Sequence, residues 1–262
     1  MLLFAGTTAS AQQIFYSIPK QELNLYKMIG NENKKSIQTI KEFEISKQVT
    51  LKEYKEYLAA IKKDSSEAFY RTQLPDTSIG TKAVREKYLN EKQYEDFPVL
   101  GISWDNAMNY CKWKTIKENK DSIRIIYRLP HCSEWLSAHY YLENTKQKHD
   151  LNKNYSDWTL ATYDESFFLF NKANEPINFF FDHFYFHSSN DARVLKRKRV
   201  MGNNFFYQQD KKFMDFASFY ANDGYKYIGF RCVKEQVKSV PKELNDKSLS
   251  TSLLNYWGIK RK

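Results

Sequence analysis

The chain has little proline and glycine, 6 and 8 residues in 262, so no low-complexity linker divides it. It also lacks any apolar run that approaches the ~20 residues of a membrane-spanning helix. Cysteine is scarce, with three residues. Tyrosine and phenylalanine are instead abundant, at 19 each, and hydrophobic residues make up 42% of the chain. This composition predicts a globular protein with strands and irregular, aromatic-packed structure rather than a helical bundle.

No dense basic tract accompanies the net charge of +10, because the lysines and arginines are spread along the whole chain. We therefore expect no nucleic-acid partner. The densest cluster is the run Lys196 to Arg199, which precedes an aromatic segment at 205–207. Three interpretations are open: a nucleic-acid-binding edge, the remains of a catalytic segment, or a strand flanked by solvated charge. A charged docking surface is also compatible with this run.

A positively charged start is missing from the N-terminus, although residues 1–11 form a short apolar stretch that ends in an A-x-A-like cleavage signal. We predict a truncated signal peptide and export, to the periplasm or the outer membrane; a disordered apolar N-terminus is the alternative. No cysteine follows the cleavage site, so the bacterial lipoprotein pattern is absent. Residues 12–40 are predicted to be an N-terminal arm, and residues 237–262 a C-terminal tail.

Between these ends, three segments show an extended stretch followed by a helical pattern. In the first, Thr50 and Glu53 form a capping box before apolar residues at helical spacing. In the second, Ser103 precedes a helix, and a third helix is predicted within 127–142. We expect residues 64–96 to be an irregular insertion. From residue 151 onward, aromatic segments alternate with turn residues, which favours short strands. Residues 41–236 are thus predicted to be one α+β domain.

Four segments, at 43–58, 98–113, 128–135 and 227–232, resemble in order the motifs of the formylglycine-generating enzyme family, also called the sulfatase-modifying-factor domain. They read FEISKQVTLKEYKEYL, PVLGISWDNAMNYCKW, RLPHCSEW and YIGFRC. A fifth family element is weakly matched by KNYSDWT. The resemblance implies a C-type-lectin-like α+β fold, in which helices surround a small twisted antiparallel sheet. Large aromatic side chains would fill its core, among them Trp104, Trp113, Trp135, Trp158 and Phe230.

The residues that carry the family's chemistry are missing from this sequence. The enzymes use a cysteine pair that follows an R-G-G-S element, and soft thiolate sulfur is what selects Cu(I). Here KRVMGNNFF takes the place of that element, and residues 201–230 contain no cysteine. The resemblance therefore implies neither catalytic residues nor bound copper. His183 and His187 have a ligand-like spacing, but the surrounding sequence favours a strand, so no metal pair is expected there.

The family implies a structural role for two of the three cysteines and for two aspartates. Cys111 and Cys232 fall on positions that form a disulfide in some exported members; two buried thiols are the alternative. Cys132 is left over. The family's calcium site corresponds to Asp150, the carbonyls of Lys153 and Tyr155, and Asp157, a set of oxygen ligands that suits calcium. Two solvated aspartates are the alternative.

The function implied by these features is that of a non-catalytic structural or binding component of a cell-envelope assembly. The composition, the predicted export and the missing cysteines are similar to the gliding-motility and type IX secretion lipoproteins of the Bacteroidota. We expect its partners to be envelope or secretion proteins, through which it would associate with the outer membrane. A lectin-like ligand-binding module is one alternative. An enzyme with altered, copper-independent chemistry is another.

Overall fold

The computed structural model describes residues 14–24, 37–119, 125–162, 197–204 and 218–236. The predicted signal peptide, the tail at 237–262 and the pair His183 and His187 lie outside the described residues, so the expectations for them stay predictions. No helix in the described ranges is both long and apolar enough to cross a membrane.

The first sheet has four antiparallel strands in the order β1-β4-β10-β5. These are β1 (Phe15–Ile18), β4 (Phe43–Ser46), β5 (Ile125–Arg128) and β10 (Val233–Gln236). Val233 lies opposite Ile45 on one side and Arg128 on the other. The chain's last described strand is therefore central in the sheet, between strands from the first half of the chain.

The fold begins earlier than the expected boundary at residue 41, because part of the predicted arm is a strand of this sheet. Tyr16 and Ile18 of β1 are buried among apolar residues, and Tyr16 lies opposite Ile45 of β4. Two further strands, β2 (Gln21–Asn24) and β3 (Ile37–Ile40), pair with each other. Four-residue strands contain too few alternations to stand out from polar surroundings, which is why the sequence pattern indicated an arm.

Five α-helices and two short 3-10 helices lie among the described residues. The α-helices are α1 (Leu51–Asp64), α2 (Glu67–Thr72), α3 (Lys82–Asn90), α4 (Trp104–Glu118) and α5 (Cys132–Asn144). The caps predicted for the first two long helices are present: Thr50 and Glu53 form a capping box, and Ser103 Oγ accepts from the backbone N–H of Asn106. The segment 64–96, predicted to be irregular, contains α2 and α3. Because α2 buries no side chain, its apolar periodicity was absent from the sequence.

The RLPHCSEW motif sets the start of α5. Arg128, the last residue of β5, donates two hydrogen bonds of 2.7 Å to the carboxylate of Glu134. Glu134 also accepts from the backbone N–H of His131, the N-cap residue, at 2.8 Å. Burial alone would raise the pKa of Glu134, but the paired guanidinium and this backbone bond lower it. The bidentate pair thereby fixes the angle between strand and helix.

The second sheet confirms the short strands predicted after residue 151. Its order is β8-β7-β6-β9, with β6 and β9 parallel and the other pairs antiparallel. The strands are β6 (Ser156–Thr162), β7 (Arg197–Met201), β8 (Ser218–Tyr220) and β9 (Ile228–Phe230). A link of two residues, 231 and 232, joins β9 of this sheet to β10 of the first sheet.

Aromatic side chains fill the core between these layers, as the sequence predicted. Trp135, Trp158 and Phe230 are fully buried, whereas Trp104 and Trp113 pack at the margin and are partly exposed. The indole N–H groups of Trp104, Trp135 and Trp158 have specific acceptors: that of Trp158 donates to the Ile102 carbonyl at 3.2 Å. Burial of this kind stabilises an irregular backbone because each ring covers a large area.

We expect Thr50→Ala to destabilise the protein by about 1 kcal/mol. The substitution removes the Thr50 hydroxyl, which accepts a hydrogen bond from the backbone N–H of Glu53. The same hydroxyl donates to the partly desolvated side-chain carboxylate of Glu53, which therefore loses one donor. Thr81→Ala, at the exposed cap of α3, is the matched control and should cost less. Urea denaturation of both variants measures the difference; equal losses would contradict a special role for the Thr50 cap.

Candidate functional site

Arg231 occupies the position between the two aspartates predicted to bind calcium. It lies in the link between the two sheets and is fully buried. Its Nε donates to Asp157 Oδ2 at 2.6 Å, and its Nη1 donates to Asp150 Oδ1 at 2.7 Å. Nη2 donates to the Asp150 carbonyl at 3.0 Å, and Nη1 reaches the Ser46 carbonyl at 3.3 Å. The guanidinium thus supplies the positive charge at this centre.

The other oxygens of these aspartates accept hydrogen bonds from neighbouring residues. Gln48 donates through its side chain to Asp157 Oδ1 at 2.8 Å and through its backbone N–H to Asp150 Oδ2 at 3.0 Å. The same Gln48 amide lies 3.3 Å from the Tyr155 carbonyl. The indole N–H of Trp135 donates to Asp157 Oδ2 at 2.8 Å. This centre therefore joins the end of β4, helix α5, strand β6 and the β9–β10 link.

This geometry differs from both sequence interpretations of Asp150, Lys153, Tyr155 and Asp157. The aspartates are not two solvated side chains, because Asp157 is fully buried. They are also not arranged as an open oxygen shell, because Arg231 and Gln48 already donate to their oxygens and to the Tyr155 carbonyl. Lys153 is exposed at the edge of the loop. Calcium binding at these residues stays a prediction, and it would require Arg231 to leave its two partners.

The ion pairs oppose the effect of burial on the ionisation of their members. For Asp157 burial prevails and the pKa is raised, although Arg231, Trp135 and Gln48 act to lower it. Burial alone would raise the pKa of Asp150, but the charge of Arg231 and the hydrogen bonds from Arg231 and Gln48 lower it. Burial would lower the pKa of Arg231, and the two carboxylates raise it. Burying such charges costs free energy unless every partner is present. The centre is accordingly a structural one, closed to solvent at Arg231 and Asp157.

The predicted cysteine pair is brought together inside the core. Cys111 on α4 and Cys232 beside β10 place their sulfur atoms 3.7 Å apart, and the structure has both as thiols. Burial raises the pKa of the Cys111 thiol well above its usual value. Cys132, at the start of α5, lies 3.4 Å from the hydroxyl of Thr159. All three cysteines of the sequence are thus buried, and the disulfide between the first two stays a prediction.

The turn that aligns with the family's R-G-G-S element, residues 202–204, is held by hydrogen bonds among small polar residues. Asn204 donates to the Ser156 hydroxyl at 2.9 Å, and that hydroxyl donates to the Gly202 carbonyl at 2.7 Å. The backbone N–H of Asn203 donates to the Asn152 side chain at 2.7 Å. Gly202 has a φ of 91°, and an added Cβ would lie 2.9 Å from the Trp135 ring. A glycine is therefore required at this turn.

The basic run that precedes this turn does not present its cations on one face. In β7, Arg197 is exposed, Lys198 is half-buried and Arg199 is buried. The Lys198 ammonium lies 4.1 Å from the centre of the Trp104 ring, and the Arg197 guanidinium lies over Tyr220 of β8. The run is thus a strand with cations packed on aromatic rings. The strand of the third sequence interpretation is confirmed, but its charge is not simply solvated, because Arg199 is buried and Lys198 is half-buried.

A cluster that the sequence reasoning missed lies at the end of α5. His139 and Glu143 are one turn apart on the helix, and His149 follows in the loop that leads to Asp150. The Nε2 atom of His149 is 3.1 Å from Glu143 Oε1. The His139 ring stacks on Trp135, and burial lowers the pKa of His139 to about 4. The spacing His-x-x-x-Glu within a predicted helix was the signal available in the sequence.

Comparison with known proteins agrees with the family motifs. Residues 21–141 match the model described as the sulfatase-modifying factor enzyme 1-like domain. The crystal structure of CarF is similar to this chain with a TM-score of 0.56 and 12% identity, over 87% of this chain and 99% of that chain. The fold is formylglycine-generating-enzyme-like. PvdO from Pseudomonas aeruginosa matches with a TM-score of 0.44 and 13% identity, over 85% of this chain and 92% of that chain. No curated protein matches the chain.

Within this formylglycine-generating-enzyme-like fold, the sequence motifs correspond to structural contacts. The closing G-F-R motif supplies Arg231, and the weakly matched KNYSDWT element supplies Asp157, its ion-pair partner. The R-L-P motif supplies the Arg128–Glu134 pair. These residues hold elements of the fold together. The resemblance is thus carried by residues of the framework.

Arg231→Met should destabilise the protein by about 3–5 kcal/mol, because it leaves Asp157 and Asp150 without their counter-charge in the interior. Arg71→Met is the matched control: its ion pair with Glu67 has a similar length, 2.8 Å, but is exposed, so its loss should cost under about 0.5 kcal/mol. Chemical denaturation gives both values. Similar losses for the two variants would show that the buried pairs do not hold the sheets together.

Non-reducing peptide mapping should find Cys111 joined to Cys232 in protein recovered from an oxidising compartment, with Cys132 a thiol. The sulfur atoms are already adjacent, and a closed loop of about 120 residues stabilises the protein by about 4–5 kcal/mol in the loop-entropy model. Cys132→Ser serves as the control and should leave this linkage intact. A linkage through Cys132, or three free thiols in the mapped protein, would contradict the pairing.

Proposed function

We propose that this chain is a non-catalytic member of the formylglycine-generating-enzyme-like group. The observation that carries the proposal is the state of its cysteines: none falls in residues 201–230, and the three that exist are buried in the core. Oxidation of a substrate through Cu(I) requires thiolates that both metal and substrate can reach. Here burial raises the pKa of the Cys111 thiol, which disfavours the thiolate.

The role we propose is that of a structural or binding component of a cell-envelope assembly. Its support is the predicted export signal, together with the similarity of composition and motifs to the non-catalytic Bacteroidota members of gliding-motility and type IX secretion systems. The closed ion-pair centre favours a rigid scaffold over a reaction site. Envelope proteins are its proposed partners, and they would also connect it to the outer membrane.

The purified protein should neither bind Cu(I) stoichiometrically nor convert the cysteine of a sulfatase-motif peptide to formylglycine. Competition with a chromogenic Cu(I) chelator measures the first, and mass spectrometry of the peptide measures the second, with an active member of the family as positive control. The double variant Cys111→Ala, Cys232→Ala is the control for copper bound by the two buried thiols: any copper that the unaltered protein binds through this pair is absent from the variant. Conversion of the peptide would overturn the non-catalytic assignment.

Cross-linking in intact cells, followed by affinity capture from the envelope fraction, should recover defined envelope proteins with this chain. A tagged protein of similar net positive charge is the control, because a charge of +10 favours non-specific association. The partners of this chain should stay bound through a high-salt wash. The same wash should remove the proteins bound to the control, because salt screens non-specific contacts between charges. Recovery of this chain alone, free of the envelope, would contradict the assembly role.

A further inference from the structure

The cluster of His139, Glu143 and His149 has the ligand types of a transition-metal site. One ligand atom from each residue lies within 4.8 Å of the other two. Imidazole nitrogen and carboxylate oxygen are ligands that zinc uses, and two histidines with one glutamate form a recognised three-residue set. The spacing on α5 is also suitable, because residues four apart share one face of a helix. The third ligand comes from a separate segment, the loop after α5.

Nδ1 of His139 is a buried polar atom that the described residues leave without a hydrogen-bond partner. His149, which is 7% exposed, directs its Nε2 atom toward Glu143. Buried polar atoms of this kind are uncommon, and each calls for an explanation such as an ion or a water molecule. Glu143, by contrast, has a side chain that is 56% exposed. The cluster therefore has a buried side and an opening to solvent, through which a metal ion can enter.

The distances are close to those that a metal requires. A tetrahedral zinc ion with bonds of about 2.0–2.1 Å holds its ligand atoms about 3.3–3.4 Å apart. The His149–Glu143 pair, at 3.1 Å, already meets this separation. The ligand atoms of all three residues lie within 4.8 Å of one another, so the most distant pair needs to approach by at most about 1.4 Å to reach this separation.

We propose that His139, Glu143 and His149 bind a divalent transition metal of the zinc type, with a fourth coordination position open to solvent. This inference is independent of the proposed envelope role. A metal here would connect the last turn of α5 to the loop that contains His149. Asp150, the next residue of that loop, is an ion-pair partner of Arg231. The metal would thereby stabilise the loop that brings Asp150 to the ion-pair centre.

Zinc titration of the chelator-treated full-length protein should show one saturable site and a rise in Tm. Co²⁺ should give the visible absorption of a low-coordinate site with nitrogen and oxygen ligands. His139→Gln and His149→Gln should each weaken zinc binding by roughly 10-fold or more, and Glu143→Gln should weaken it less. Circular dichroism and the Tm of the metal-free variants show whether the variants are folded.

Two controls separate this site from the other histidines. His131→Gln alters the only other described histidine, at the opposite end of α5, and should leave zinc affinity unchanged. The double variant His183→Gln, His187→Gln should likewise retain the site. The proposal is overturned if folded His139→Gln and His149→Gln bind zinc as the unaltered chain does, if the double variant abolishes binding, or if the unaltered chain shows no saturable site.

Discussion

The buried guanidinium of Arg231 is the interaction on which the rest of the structure depends. It lies in the two-residue link between the sheets, and its ion pairs reach Asp157 in β6 and Asp150 before it. Gln48 and Trp135 complete the hydrogen bonds of the same carboxylates. An unpaired charge in the protein interior costs free energy. Each charged side chain of this centre can therefore be buried only when its partners are in place. The centre thereby couples both sheets and α5.

The residues of this framework come from the motifs that resemble the family. Those motifs supply Arg231, Asp157, Arg128 and Glu134, all of which hold elements together. The turn at Gly202 keeps its geometry through hydrogen bonds to Ser156 and Asn152. The resemblance is therefore visible in the contacts that join the strands and helices of the fold.

Much of the fold was predictable from sequence, because motifs and caps are local. The capping box at Thr50, the cap at Ser103 and the burial of Trp135 and Trp158 were all expected, and the structure confirms them. Strand β1 was missed because four residues cannot show a clear period. The Arg231 centre was missed because its contacts are long-range: Arg231 contacts a residue 74 positions earlier in the chain. The histidine cluster is local and was missed although its spacing is visible in the sequence. Spacing along a sequence does not reveal which distant charge neutralises a carboxylate.

The central claim is that the Arg231 guanidinium neutralises the two aspartates at this centre. The hydrogen exchange of the Arg231 Nε–H group, whose ¹⁵N–¹H signal is assigned by its loss in Arg231→Lys, tests that claim most directly. The account predicts a slowly exchanging proton, because Nε–H is buried and bonded to Asp157 at 2.6 Å. Exchange as fast as that of an exposed arginine such as Arg71 would contradict it.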